Sequence, residues 1–127
     1  MVEKRGSSLD QILTTFTEQF NQNNALIYLV QDKTIKVCFE TKNSENYYLF
    51  FENSIAQTKQ LFLEDQYETV TIIGEEQIIR EIISGKQKLR QAISSQNLTV
   101  SATFRAILLL ESIFFLTNPT QTLRNDK

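Results

Sequence analysis

Few side chains in this sequence could carry chemistry. The candidates are the lone cysteine Cys38, the adjacent carboxylates Glu75 and Glu76, and the basic cluster Lys86, Lys88 and Arg90. No histidine occurs among the 127 residues, which excludes a Ser-His-Asp or Cys-His relay and any imidazole metal site. One cysteine excludes an internal disulfide and a multi-cysteine metal centre, and it suits a reducing compartment. Cys38 alternates with the inward residues of its strand, so it lies on the opposite face. Nothing near it in sequence would lower its pKa, and it reads as a small inert side chain. Glu75 and Glu76 project about 100° apart on a helix and do not converge as an acid/base pair; they complement a helix N-terminus instead. Glycine stands only at Gly6, Gly74 and Gly85, so neither a phosphate loop nor a dinucleotide fingerprint can be written. The basic cluster is either a solvated face or a weak, transient dock for anionic lipid headgroups, at roughly 1 kcal/mol per residue. No catalytic residue, metal ligand or cofactor site is expected. Binding is favoured over catalysis.

Thirteen basic residues against fifteen acidic give a net charge of −2, which argues against a nucleic-acid partner held by bulk charge. The opening MVEKRG has no apolar run behind it to make a signal peptide. The most apolar segment, 104–116, is interrupted by Arg105, Glu111 and Ser112, and it falls short of the about 20 residues a bilayer span needs. The expectation is a soluble cytoplasmic protein of one domain, with its core over about 8–117 and a loose polar tail over 118–127.

Periodicity supplies the elements. Leu9, Ile12, Leu13, Phe16 and Phe20 fall on one face of a helix over 8–21, with Ser8 and Gln11 spaced as a capping box. Residues 25–31 (ALIYLVQ) are apolar nearly throughout and suit either a buried strand or a short buried helix. From Thr34 the period becomes two: Ile35, Val37 and Phe39 alternate with Lys36, Cys38 and Glu40. Residues 47–52 (YYLFFE) form a second strand, aromatic on both faces. The stretch 55–63 forms an edge-like third strand and 69–73 (TVTII) a fourth, and short polar connections imply an antiparallel meander. After Gly74 a helix carries Ile78, Ile79, Ile82 and Ile83 and stops at Ser84-Gly85 in a left-handed cap. A second helix over 86–94, a strand over 98–102 and the apolar closing helix over 104–116 complete the chain.

The order TVTIIG (69–74), helix, IISGK (82–86), short helix with Ala92-Ile93, LTV (98–100) and apolar closing helix resembles the sterol carrier protein-2-like family. There a "(V/C)TI" strand leads into a helix closed by "GK", and an "LxI/V" strand and a hydrophobic helix follow. The resemblance spans about residues 8–117. This chain departs from it at Gln87-Lys88-Leu89, where a proline is common, and at Ser54 and Ser101, where glycine is usual. It ends Arg124-Asn-Asp-Lys127, unlike a peroxisomal signal tripeptide. The resemblance implies an α+β fold, a five-stranded mostly antiparallel sheet with helices on one face, and an apolar tunnel between the layers. It implies a carrier of sterol-like molecules, phospholipids, fatty acids or acyl thioesters, and it places residues 25–31 in a helical connection before the first strand.

The residues expected to line such a tunnel are Val37, Phe39, Leu49, Phe51, Ile78, Ile82, Phe104, Ile107, Leu108 and Phe114, with loosening of the closing helix as the gate. The closing helix is apolar nearly all round, so it must bury more than one side. It could do so within the helical layer, against a cavity, or in a homodimer. The aromatics Phe16, Phe20, Phe39, Tyr48, Phe50 and Phe51 read most simply as core. The alternative to a carrier is a protein-interaction or dimerisation module of the same fold, its tunnel filled by its own side chains.

Overall fold

A computed structural model describes residues 7–42, 45–59 and 67–117. The elements run α1 (Ser7–Asn21), α2 (Asn24–Leu29), β1 (Ile35–Thr41), β2 (Asn46–Glu52), β3 (Ile55–Gln57), β4 (Glu68–Gly74), α3 (Glu76–Ile83), α4 (Leu89–Ser94), β5 (Leu98–Ser101) and α5 (Phe104–Thr117). The ambiguous run after Asn24 is helical: the Asn23 side-chain oxygen accepts from the amides of Ala25 and Leu26 at 3.0 and 3.2 Å and starts α2. α1 begins at Ser7, so Ser8 stands inside the helix rather than before it. The side chain of Ser8, the polar tail and residues 43–44 of the turn over 42–46 lie outside the described residues.

The five strands form one sheet in the order β3-β2-β1-β4-β5. β1–β2, β2–β3 and β4–β5 pair antiparallel, whereas β1 and β4 pair parallel. This corrects the expected four-stranded meander. Of the first four strands, β1, β2 and β3 alone follow one another as neighbours, and β4 joins the far side of β1. The length of the connection permits it. β3 ends at Gln57, well before the expected 63, and about ten residues at roughly 3.3 Å each outreach the three strand spacings to be crossed. The crossing places β1, whose side chains alternate buried and half-buried along its whole length, at the centre of the sheet.

Two helix ends show why the chain turns where it does. After α3, the Gly85 amide donates to the Ile82 carbonyl at 3.1 Å and the Lys86 amide to the Glu81 carbonyl at 2.9 Å, with Gly85 at φ 78°. This is the left-handed stop expected at Ser84-Gly85. α4 ends in the same bond pattern, Gln96 to Ile93 at 3.0 Å and Asn97 to Ala92 at 2.9 Å, but the left-handed residue is Gln96, at φ 65°. α4 starts at Leu89, three residues after the expected 86, because the α3 cap occupies Lys86. The two-residue turn between β2 and β3 likewise holds Asn53 and Ser54 at φ 58° and 66°, the twist a tight hairpin requires.

At Gly74, a Cβ would stand 2.4 Å from Cδ2 of Leu98 and 3.2 Å from the Asn97 carbonyl oxygen. The end of β4 therefore lies so close to β5 that a larger residue must displace buried Leu98.

Candidate functional site

The site is built on the inner face of the sheet. Cross-strand register sets Leu49, Val37 and Val70 in one row and Phe39 and Ile72 in the next, with Phe51 beside Ile35. All seven are buried. The helices bring their own apolar faces into the same buried cluster: Leu9, Leu13, Phe16 and Phe20 from α1, Ile79, Ile82 and Ile83 from α3, and Ala106, Leu110, Ile113 and Phe114 from α5. Buried apolar area of this kind is the main stabilising term, at about 25 cal/mol per Å².

Of the expected lining residues, Val37, Phe39, Leu49, Phe51, Ile82 and Phe114 are buried in this one cluster, and Ile78 and Ile107 are half-buried against it. Phe104 and Leu108 are a correction. They stand on the outer side of α5, 64% and 36% exposed. At about 100° per residue they lie nearly opposite Ala106, Leu110 and Ile113, the residues that face inward.

Four rings occupy one side of the interior. Phe16 meets Phe114 at 5.4 Å between centroids and Phe51 at 6.4 Å, both edge-on, and Phe20 meets Phe51 at 5.3 Å. Such edge-to-face contacts add modestly to area burial. The quartet joins α1, β2 and α5. α5 packs chiefly on the other four helices rather than on the sheet.

Polar groups in and around the layer satisfy one another. The hydroxyl of Thr117 donates to the Ile113 carbonyl at 2.6 Å, and that of Thr41 to the Glu45 carbonyl at 2.8 Å. Burial and the bond to Glu45, 2.6 Å away, push the Tyr47 phenol well above its ordinary value. Buried Glu52 accepts from Tyr67 on the outer face of the sheet, where the Tyr67 ring also covers Phe50. This accounts for a second strand buried on both faces. Among the described residues, no group of His, Cys, Asp or Glu side chains is arranged to hold a metal ion.

Three groups missed in the sequence hold the cover in place. Asn21, the last residue of α1, uses its amide to donate to the Ala56 carbonyl at 2.9 Å and accept from the Ala56 amide at 2.8 Å. Its side chain thus pairs with edge strand β3 as another strand would. Glu111 caps a helix other than its own: one of its oxygens accepts the Arg90 amide at 2.9 Å in the first turn of α4, and the guanidinium bonds both oxygens at 3.0 and 3.1 Å. Lys88, the residue before α4, offers no capping side chain, so Glu111 fills that role. The Arg90 bonds hold the Glu111 carboxyl below its ordinary value against the opposing effect of burial. Thr103 starts α5 by accepting the Ala106 amide at 3.1 Å.

The residues with chemical potential stay apart from this interior. Cys38 is half-buried on the outer face, its thiol pushed up by burial and then by Glu40. Glu75 and Glu76 mark the start of α3 as expected. A surface depression of about 340 Å³ lined by Asn24, Ile27, Tyr28, Gln31 and Ser54 lies beside α2, and none of the expected lining residues contributes to it. Among the described residues, no helix is long and apolar enough to cross a membrane.

No family model matches the sequence. No curated protein matches it either. Solved structures match its shape. The apo form of sterol carrier protein 2 from Yarrowia lipolytica superposes with a TM-score of 0.64 at 10% identity, over 88% of this chain and 93% of that one. A UbiJ-SCP2 ubiquinone synthesis protein gives 0.66 at 15% identity, over 87% and 95%. The sterol carrier protein domain 2 of Helicoverpa armigera gives 0.57 at 13% identity, over 92% and 94%. The chain therefore has an α+β fold of the SCP-2-like type, as its strand and helix order suggested.

Proposed function

We propose that this chain binds an apolar small molecule or lipid between its sheet and helices, without catalysing a reaction. The observation that carries the reading is the interior itself: in an SCP-2-like fold, two facing layers present Val37, Phe39, Leu49, Phe51, Ile82 and Phe114. Such a surface recognises a hydrocarbon chain by burial, near 0.8 kcal/mol per methylene. About ten methylenes would supply roughly 8 kcal/mol before the cost of association, which favours long acyl chains over short ones. Fatty acids, acyl thioesters, phospholipids and sterol-like molecules all satisfy that requirement.

Loading would begin at α5. Moving it outward withdraws Phe114 from Phe16 and opens the ring quartet while the sheet stays intact. Native mass spectrometry of the freshly purified protein tests the reading: a co-purified lipid of defined mass supports it. A bare chain that also takes up no added fatty acid overturns it. A second reading, a filled interior that serves as an interaction or dimerisation module, draws on the close packing of that same quartet. A stable dimer in sedimentation, together with no lipid uptake, would favour it.

A further inference from the structure

Of the six large apolar side chains most exposed among the described residues, three sit on one helix: Phe104, Leu108 and Leu116 on α5. They fall within roughly 120° of arc at about 100° per residue. Phe115 lies inside that arc and carries the ammonium of Lys88 over its ring, 5.4 Å from the centroid. Arg105 lies inside it too, exposed and on the same turn as Phe104. The only acidic residue of α5, Glu111, is neutralised by Arg90, and the Glu68 carboxylate is bonded to Thr103 at the helix start. A chain of net charge −2 thus gathers exposed apolar side chains and two cations not consumed by that ion pair on one helix face.

We infer that this face of α5 docks on a lipid surface bearing anionic headgroups, with Phe104, Leu108 and Leu116 entering the headgroup boundary while Lys88 and Arg105 meet the phosphates. The charge decides the occupant. A second copy placed face to face would bring the same cations together, whereas an anionic surface complements them. The inference goes beyond cargo binding and does not require it, because a vesicle can capture the empty protein. Vesicle binding and lipid uptake therefore fail separately.

Flotation of the full chain with phosphatidylcholine vesicles, with and without about 30% phosphatidylglycerol, tests it. The expected result is capture at least about tenfold stronger on the anionic vesicles, reversed by about 0.5 M salt. Lys88→Gln with Arg105→Gln should weaken capture about 25-fold, at about fivefold per charge. Phe104→Ser with Leu108→Ser should weaken it at least about tenfold. Both pairs alter exposed side chains, so unchanged melting verifies the fold. Equal capture on both vesicle types, no capture at all, wild-type capture by either double variant, or a dimer that hides this stripe would each overturn the inference.

Discussion

Phe114 and Phe104 lie ten positions apart on one helix, and the structure treats them oppositely: 2% and 64% exposed. The first locks α5 to α1 through the Phe16 ring; the second reaches away from the helical layer. Hydropathy alone cannot separate them, because α5 is apolar around nearly its whole circumference. The side facing the layer below it decides which phenylalanine becomes core. One helix thus serves two environments, a closed interior and an apolar outer stripe bordered by cations.

The sharpest way to break that contrast is to truncate each ring. Phe114→Ala should cost about 3–5 kcal/mol in denaturant unfolding, whereas Phe104→Ala should stay within about 0.5 kcal/mol. Equal losses would dissolve the distinction. Asn21→Ala comes next: two bonds to the Ala56 backbone disappear, and about 1–3 kcal/mol should be lost, with faster amide exchange in β3 than in β1. Smaller and of opposite sign are Ser54→Gly and Gln96→Gly. Each relieves a left-handed backbone, at φ 66° and 65°, and should raise stability by about 0.5–1 kcal/mol.

The smallest effect is electrostatic. Arg90 lowers the Glu111 pKa, so the stabilisation from their contact is complete above the usual carboxylate value, 4.5, and is lost as pH falls through the lowered one. Melting temperature should decline over that acid range in the wild type. Glu111→Gln should melt lower at pH 7 and show a shallower decline.

What the sequence disclosed follows from how local each signal is. The alternation of Ile35, Val37 and Phe39 with Lys36, Cys38 and Glu40 becomes strand β1 as read, because one covered face enforces a period of two; its central place in the sheet was not legible. The stop at Ser84-Gly85 was equally plain, since glycine tolerates a positive φ at little cost. The same stop at Gln96 went unseen because its residue type does not announce it. The parallel pairing of β4 with β1 was also hidden: connection length sets what is reachable, not which edge is taken. Asn21 and Glu111 act over 35 and 21 positions, and no local pattern marks such partners. Val37, Phe39, Leu49 and Phe51 follow from inward alternation on their strands and Ile78 and Ile82 from the helical stripe of α3, while Phe104 and Leu108 depended on the rotation of a helix with no polar face to orient it.

Lipid binding requires the interior to accept a hydrocarbon guest, and a chain-length series of fatty acids with melting temperature as the readout addresses that directly. The stabilisation should grow with each added pair of methylenes from about ten carbons upward, equally in the wild type and in Phe104→Ser. A melting temperature that stays flat across every chain length would contradict it.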